Sequence, residues 1–468
     1  GDSIDDESGR SISISEDGNI VAIGSFQNDL NGLNAGQVRV FSNILGTWTQ
    51  IGQDIYGVSA GDEAGFNNSV SLNSDGSIIA IGSRYNDING NDAGQVRVFS
   101  NILGAWTQIG QDIYGLSADD YCGISVGLDS IGNTLVIGST GNDDNGNEAG
   151  HVRIFEFVGG VWTQIGQNIN GESSDDLSGW SLSINNNGNI IAIGAHNNDG
   201  NGINSGHVRI YENVLGLWTQ LGVDIDGDTS YDRFGASISL NSFGNIIAIG
   251  APNIYYGEGY AKIYEYIGNS WNQIGQKIIG VNNYDYCGGS VSLNDIGNIV
   301  AVGSPQNTDS SLIWNGHARI FKNIGSNWSQ IGQSINGQNQ ADLFGFPVAL
   351  SSDGNILATS AIHNDDNGSN SGKTRIYNLD SSLINNCNEL GCLDPLALNF
   401  DPYATVDDST CIYPNYGCID SLALNYNSLS NIDNGSCNYC TNDTSYTNIS
   451  ACDSLIWNSV TYYQTGIY

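Results

Sequence analysis

The sequence predicts an all-β fold, a seven-bladed β-propeller of four-stranded blades followed by small disulfide-stapled units, and three observations predict it. The phrase Trp-x-Gln-[Ile/Leu]-Gly recurs six times, at Trp48, Trp106, Trp162, Trp218, Trp271 and Trp328, at intervals of 53 to 58 residues. A period of that length marks one supersecondary unit repeated along the chain. Each unit holds four short runs rich in Val, Ile, Tyr and Trp, bounded by Gly, Asn and Asp, which supply turn chemistry. No stretch keeps a helical period. Seven units of four strands close into a ring in which each blade covers its neighbours and closure protects the edges.

Unit two shows the elements in order. Ser69-Val-Ser-Leu is the first strand, Asn73-Ser-Asp-Gly the turn, Ile78 to Ser83 the second strand, and Asn86 to Gly94 a loop. Val96-Arg-Val-Phe is the third strand and Trp106-Thr-Gln-Ile-Gly the fourth. Unit seven lacks the last clause: no Trp-x-Gln follows Tyr377, while Gly1 to Gly9 align with the residues that follow that clause elsewhere. The missing strand is therefore expected upstream of Gly1. Blade seven is expected to show three strands, or to borrow an edge strand from residues 381–390 or from another chain.

Phe234-Gly235-Ala-Ser-Ile-Ser-Leu, then Ala248-Ile249-Gly250-Ala251-Pro252, then Tyr260-Ala-Lys-Ile-Tyr264 resembles the FG-GAP repeat of integrin α-subunit propellers, and Phe344-Gly345 echoes its start. The resemblance covers residues 1–380 as a pattern and implies a propeller used in extracellular recognition. Integrin-type repeats carry an Asp-rich calcium loop between their first two strands. Here that connection is a tight turn such as Asn241 to Asn245, so that calcium site does not carry over.

With 49 acidic against 13 basic residues the formal charge is −36, which repels nucleic-acid phosphates and anionic membranes. No apolar run reaches 18 residues, so no membrane insertion is expected. The chain contains no Met, starts inside a repeat and stops inside a motif, and is read as a piece of a longer protein.

The domain plan is a propeller over 1–380, a linker at 381–390, two stapled repeats over 391–440 and the start of a further β-rich repeat over 441–468. Cys392 and Cys411 stand 19 apart, as do Cys418 and Cys437, in two copies of Gly-Cys-[Leu/Ile]-Asp-x-Leu-Ala-Leu-Asn-[Phe/Tyr]. Matched spacing in units too small to bury a core implies disulfides and an oxidising, extracellular location, secreted or attached to the cell surface. Zinc is the competing reading, without a His in this region to support it. Cys440 and Cys452 are read as a third bridge, and Cys387 has no assigned partner. The two units resemble Cys-stapled repeats in surface proteins of bacteria that use type IX secretion. Cys122 and Cys287 fall where Phe-Gly units carry Phe, nearly opposite on the ring, and are expected to be free, buried thiols.

An antiparallel meander puts the loop between strands two and three on the same face as the link to the next blade, and both are rich in Asp. Asp29, Asn31, Asp87, Asn89, Asp143, Asp199 and Asp365 in those loops, with Asp401, Asp407 and Asp408 in the tail, are candidate ligands for Ca²⁺. Alternatively the loop residues are turn formers that bond their own backbone. Seven of the thirteen basic residues occupy one column, Arg39, Arg97, Arg153, Arg209, Lys262, Arg319 and Arg375. A residue present in every blade is structural, and its expected partner is the recurring acid Asp62, Asp120, Asp176, Asp232 or Asp342. His151, His207 and His317 share a column and read as repeat decoration.

No catalytic residue is assigned, because no nucleophile elbow, zinc signature or phosphate-cradling loop is present. Aromatic side chains that break the pattern, Tyr231, Tyr255, Tyr256 and Trp314, are candidates for stacking on a sugar. The expected function is a non-enzymatic recognition and adhesion module of a large secreted or surface protein, binding a glycan or protein on a cell or matrix surface. A structural spacer or filament subunit is the second reading. An extracellular carbohydrate-active enzyme, its site assembled from several blades, is the third.

Overall fold

The computed structural model describes residues 1–253, 257–308 and 312–379 of the repeat region, and 390–391, 396–397, 406–407, 411–439, 455–457 and 460–462 beyond it. The chain divides into two compact units, Gly1–Ile384 and Asn385–Tyr468. The first is a seven-bladed β-propeller, with no helix among the described residues.

Blade one sets the pattern. β1 (Ser11–Ile14), β2 (Ile20–Ser25), β3 (Gln37–Ile44) and β4 (Thr47–Gln50) lie side by side as an antiparallel meander. The short β5 (Ile55–Tyr56) pairs with the far end of β3. Blades two to five repeat this five-stranded plan. Blade six merges the last two strands into one, Asn327–Asn336, with a register shift opposite Ala318 and Ile320. Blade seven has three strands, Phe344–Leu350, Ile356–Ala361 and Lys373–Asn378, as its sequence predicts.

The first strand of every blade lies against the first strands of its neighbours, and Phe344–Leu350 meets β1 to complete the circle. The Ser-x-Ser pattern of these inner strands has a use here. Ser13 Oγ accepts from the Leu72 N–H at 2.9 Å, Ser71 Oγ from Leu128, Ser183 Oγ from Leu240 and Ser239 Oγ from Leu293. The inner strands joined by these bonds are thereby pinned to one another. Between blades the core is apolar: Ala22, Val38, Val40 and Ile55 of blade one pack on Val70, Leu72, Ile79, Ile81, Phe99 and Trp106 of blade two. The Gly near the end of the second strand in blades one to six permits close approach of the next blade. A Cβ on Gly82 would sit 1.9 Å from the Gly123 carbonyl oxygen.

The arginine column is structural, but its partners differ from those expected. Arg97, Arg153, Arg209 and Arg319 donate to backbone carbonyls of the preceding link, those of Tyr56, Tyr114, Asn170 and Ile279. The recurring acid has another task. Asp62 Oδ2 accepts from the N–H groups of Val58 and Ser59, and Asp120 Oδ2 from Leu116 and Ser117. A carboxylate next to two unpaired N–H groups is already satisfied locally, so these four arginines go to the carbonyls instead, while Arg39 bonds Asp2, Lys262 bonds Asp228 and Arg375 bonds Gln338.

In the second unit Leu390–Gly391 pairs in parallel with Val406–Asp407, and Tyr416–Gly417 with Ile432–Asp433, the same pairing in each stapled repeat. Cys418 is bonded to Cys437. Cys411 is disulfide-bonded too, while Cys392, Cys387, Cys440 and Cys452 lie outside the described residues. Cys122 and Cys287 are free and fully buried, as expected. Among the described residues no helix is long and apolar enough to cross a membrane.

Candidate active site at the axial mouth

The meander brings the start of each first strand and the end of each second strand to one face, around the axis. A channel of about 150 Å³ runs between the inner strands, lined by side chains from all seven blades, among them Ile12, Val70, Val126, Leu182, Ile238, Val291 and Val348. At that face it widens into a cavity of about 250 Å³, whose wall includes Arg10, Trp180, His196, Arg233, Tyr286 and Phe346. The two share Asn68, Ser237, Ser290 and Pro347 and so are continuous.

Three of the six basic residues outside the column, Arg10, Arg84 and Arg233, stand at or beside this mouth. Arg10 Nε donates to Asn67 Oδ1 at 2.9 Å, and its guanidinium lies 5.4 to 5.9 Å from the ring centres of Phe26, Phe66 and Phe346. Burial lowers its pKa, with Glu7 and Glu63 opposing and Arg84 adding to the shift. Arg84 donates to Glu63 Oε2 through both Nε (3.0 Å) and Nη2 (2.7 Å) and lies 3.4 Å over the Phe66 ring. Burial pushes the Glu63 carboxyl up in spite of that pair.

Trp180 and His196 face each other with ring centres 4.6 Å apart. His196 is 3 % exposed, and burial, then the Arg233 charge, depress its pKa to about 3, so the ring is neutral. Its Nδ1 and the Arg233 Nε are buried without a hydrogen-bond partner. Buried polar atoms without partners are uncommon, and these belong to side chains that line the cavity.

This cluster was missed in the sequence because the columns it comes from change residue type from blade to blade: Arg10, Trp180 and Phe346 follow the repeat Gly, Arg233 and Tyr286 stand two before it, and Arg84 and His196 follow the second strand. The available signal was arithmetic: six basic residues remain once the arginine column is set aside.

The aspartates of the predicted metal loops each accept a hydrogen bond from their own loop backbone. Asp29 Oδ1 accepts from the Asn34 N–H at 2.7 Å, and Asp87, Asp143, Asp199 and Asp365 do the same five residues on. Asn31 and Asn89 donate to Gly57 and Gly115 of the adjoining link, both at 2.7 Å. Asp401, Asp408 and the Asp407 side chain lie outside the described residues. Among the described residues one group of three His, Cys, Asp or Glu side chains could hold a metal ion: Glu172, His207 and Asp224, with ligand atoms all within 4.8 Å of one another. His207 Nδ1 is 3.8 Å from both Glu172 Oε2 and Asp224 Oδ2. Tyr231 and the half-exposed Trp314 sit in outer loops and line neither cavity, and Tyr255 and Tyr256 lie outside the described residues.

No family model matches the chain, and no curated protein matches it. Its similarity is to solved propellers. A proposed 6-phosphogluconolactonase from Bacteroides uniformis superposes with a TM-score of 0.52 at 11 % identity, covering 78 % of this chain and 94 % of that one. The periplasmic gluconolactonase of Pseudomonas aeruginosa matches at 0.47 and 14 %, covering 71 % and 86 %. A protein from Lactobacillus plantarum matches at 0.47 and 13 %, covering 71 % and 85 %. At these identities the likeness establishes the fold.

The fold is shared with that proposed lactonase. The expectation of a non-enzymatic adhesion module, and with it the answer that the chain is no enzyme, is therefore corrected. The propeller on which it superposes with a TM-score of 0.52 is named as a proposed lactonase, not as an integrin-type repeat. Side chains from six blades converge on the axial mouth, an arrangement that leaves no local motif in the sequence.

Proposed function

We propose that the axial mouth is the active site of an extracellular carbohydrate-acting hydrolase whose substrate is a sugar lactone, the phosphorylated, anionic form in preference to the neutral one. The observation that carries this reading is the convergence of Arg10, Arg233 and the neutral, buried His196 on one cavity of a chain with formal charge −36. Guanidinium groups pair with carboxylate and phosphate, and buried donors are positioned to stabilise an oxyanion. Trp180 offers a flat apolar face to a sugar ring. In hydrolysis, water adds to the lactone carbonyl, the oxyanion forms against Arg10 and Arg233, and the ring oxygen leaves with a proton. Glu7 and Glu63, the carboxyl groups next to Arg10, are the side chains suited to carry that proton. The Cys418–Cys437 bond supports the extracellular assignment.

The test is acid release in a pH-stat from gluconolactone and 6-phosphogluconolactone. Wild-type turnover is expected. Losing one charged hydrogen bond, about 1.5–3 kcal/mol, should lower kcat/KM about 10- to 100-fold in Arg10→Gln and in Arg233→Gln. Absence of turnover above the uncatalysed rate, with both variants folded, overturns the reading.

For the Glu172, His207 and Asp224 group, an imidazole nitrogen with two carboxylate oxygens suits Zn²⁺ or Mn²⁺ better than Ca²⁺, which prefers six to eight oxygens. Zn²⁺ should then raise the melting temperature more than Ca²⁺ does, and His207→Ala should abolish the difference. Equal shifts, or a shift that survives the substitution, count against the assignment.

A further inference from the structure

In a chain of formal charge −36, one basic side chain at the mouth has nothing to neutralise it. Arg10 is bonded to Asn67, Arg84 to Glu63, and the column arginines to carbonyls, to Asp2 or to Gln338. Among the described residues Arg233 alone of the thirteen basic residues makes no hydrogen bond and no ion pair through its side chain. The acid next to it in sequence is turned to other work. Asp232 accepts from the Thr229 N–H at 2.8 Å, the Thr229 hydroxyl at 2.9 Å, Asn253 Nδ2 at 3.1 Å and the Tyr260 hydroxyl at 2.8 Å, two bonds on each oxygen. A partly buried guanidinium with five N–H donors and none of them used is a group waiting for an acceptor.

Its place is a repeat position. Glu7, Glu63, Tyr121, Leu177, Arg233, Tyr286 and Leu343 occupy it in the seven blades, all with a left-handed backbone at φ 45° to 57°. Only blade five puts a cation there. Blade four supplies its neighbour, His196, which stands where blades five and six carry Pro252 and Pro305. The His196 ring is buried, covered by Trp180, with its Nδ1 unpartnered. Arg233 is the charged group that acts on it, and with burial it keeps the ring neutral. A neutral imidazole retains one N–H to donate. Both side chains line the same cavity, three blades round the ring from Arg10.

We propose that Arg233 and His196 form a subsite for the phosphate of a phosphate monoester, and that this corner of the mouth decides the preference for the phosphorylated sugar. The inference rests on the reading of the mouth as a site for a sugar lactone. The donors fit phosphate better than carboxylate. A guanidinium fork takes two oxygens, and a phosphate monoester has a third for the imidazole N–H, whereas a carboxylate has none left. A metal ion is a poor occupant, since the guanidinium offers donors only. With five N–H groups Arg233 holds the phosphate on one edge and keeps the other for the oxyanion.

The experiment is isothermal titration calorimetry of the full chain with 6-phosphogluconate, the hydrolysis product, and with gluconate, which lacks only the phosphate. Saturable one-to-one binding of 6-phosphogluconate is expected, with gluconate weaker by about tenfold or more, the worth of one charged hydrogen bond. Arg233→Gln should bring the ratio of the two affinities close to one, and His196→Leu should lower it severalfold. Arg10→Gln should weaken both ligands and leave the ratio in place. Circular dichroism establishes that the variants are folded. Arg233→Lys keeps the charge but loses the fork, and should lower the ratio as well if Arg233→Gln does not fold. Equal wild-type affinity for the two ligands, no binding of either, or a ratio that survives the Arg233 substitutions overturns the subsite. Lactone turnover without phosphate preference removes the subsite and leaves the hydrolase, whereas phosphate-selective binding without turnover removes the hydrolase and leaves the subsite.

Discussion

The main-chain N–H of Ser352 donates to the carbonyl oxygen of Glu16 at 2.8 Å, joining blade seven to blade one. It is one of seven such bonds. Glu16 donates to Ser74, Ser74 to Ser130, Ser130 to Asn186, Asn186 to Ser242, Ser242 to Asp295 and Asp295 to Ser352, each through its backbone. The turns between first and second strands thus form a closed hydrogen-bonded ring around the axis, on the face opposite the arginine-lined mouth.

Removing one donor from this ring should be felt by the whole disc. Ser352→Pro is expected to cost about 1–3 kcal/mol, read as a lower denaturant midpoint. Ser352→Ala keeps the N–H and should be nearly silent.

Acidification should act through His196. Its pKa is depressed from 6.5 to about 3, so the unfolded state binds the proton more readily, and stability is lost as pH falls from about 6.5 toward 3. The cause is burial against Trp180 and Arg233. His196→Gln should flatten that part of the stability profile measured by urea titration; an unchanged slope counts against it.

Asp295 works in the opposite direction. Burial, then the Glu16 and Asp353 charges, raise its pKa from 3.8 to about 6. The folded state therefore holds the proton more tightly, and stability falls as pH rises from about 4 to 6. Asp295→Asn should remove this loss and raise the melting temperature at pH 7 while leaving it nearly unchanged at pH 3.5.

The tryptophans should be unequal in spite of identical sequence context. Trp106→Ala removes a buried indole and its bond to Ile51, and should cost about 3–5 kcal/mol. Trp48→Ala removes a half-buried side chain with no such bond and should cost about 1 kcal/mol.

The loop aspartates give a last contrast. Asp87→Ala should lower stability by about 0.5–1.5 kcal/mol by freeing the Asp92 N–H, equally with and without a chelator. A loss seen only with Ca²⁺ present would restore the loop as a calcium site.

The ring, the number of blades, the three-stranded seventh blade and the two free cysteines were legible because each is a property of repetition. A strand pattern that recurs seven times fixes seven sheets, and a clause missing from one copy fixes which sheet is short. Local spacing also decided the Cys418–Cys437 bridge. What the sequence could not decide was which blade-specific residues meet. Arg10, Trp180 and Arg233 stand in blades one, four and five, and only the closing of the circle carries them to one mouth. Glu172 precedes the strand that bears His207, and Asp224 follows it, yet the antiparallel return of the chain brings the three together. The arginine column shows the same limit from the other side: repetition identified it as structural, but its acceptors were decided by which atoms the folded link left unsatisfied, the carbonyls of Tyr56, Tyr114, Asn170 and Ile279 rather than the aspartates nearby. Hydrophobic period and turn chemistry act over a few residues and are written in order along the chain. The meeting of charges across blades depends on distance in space, which the sequence specifies only through the fold.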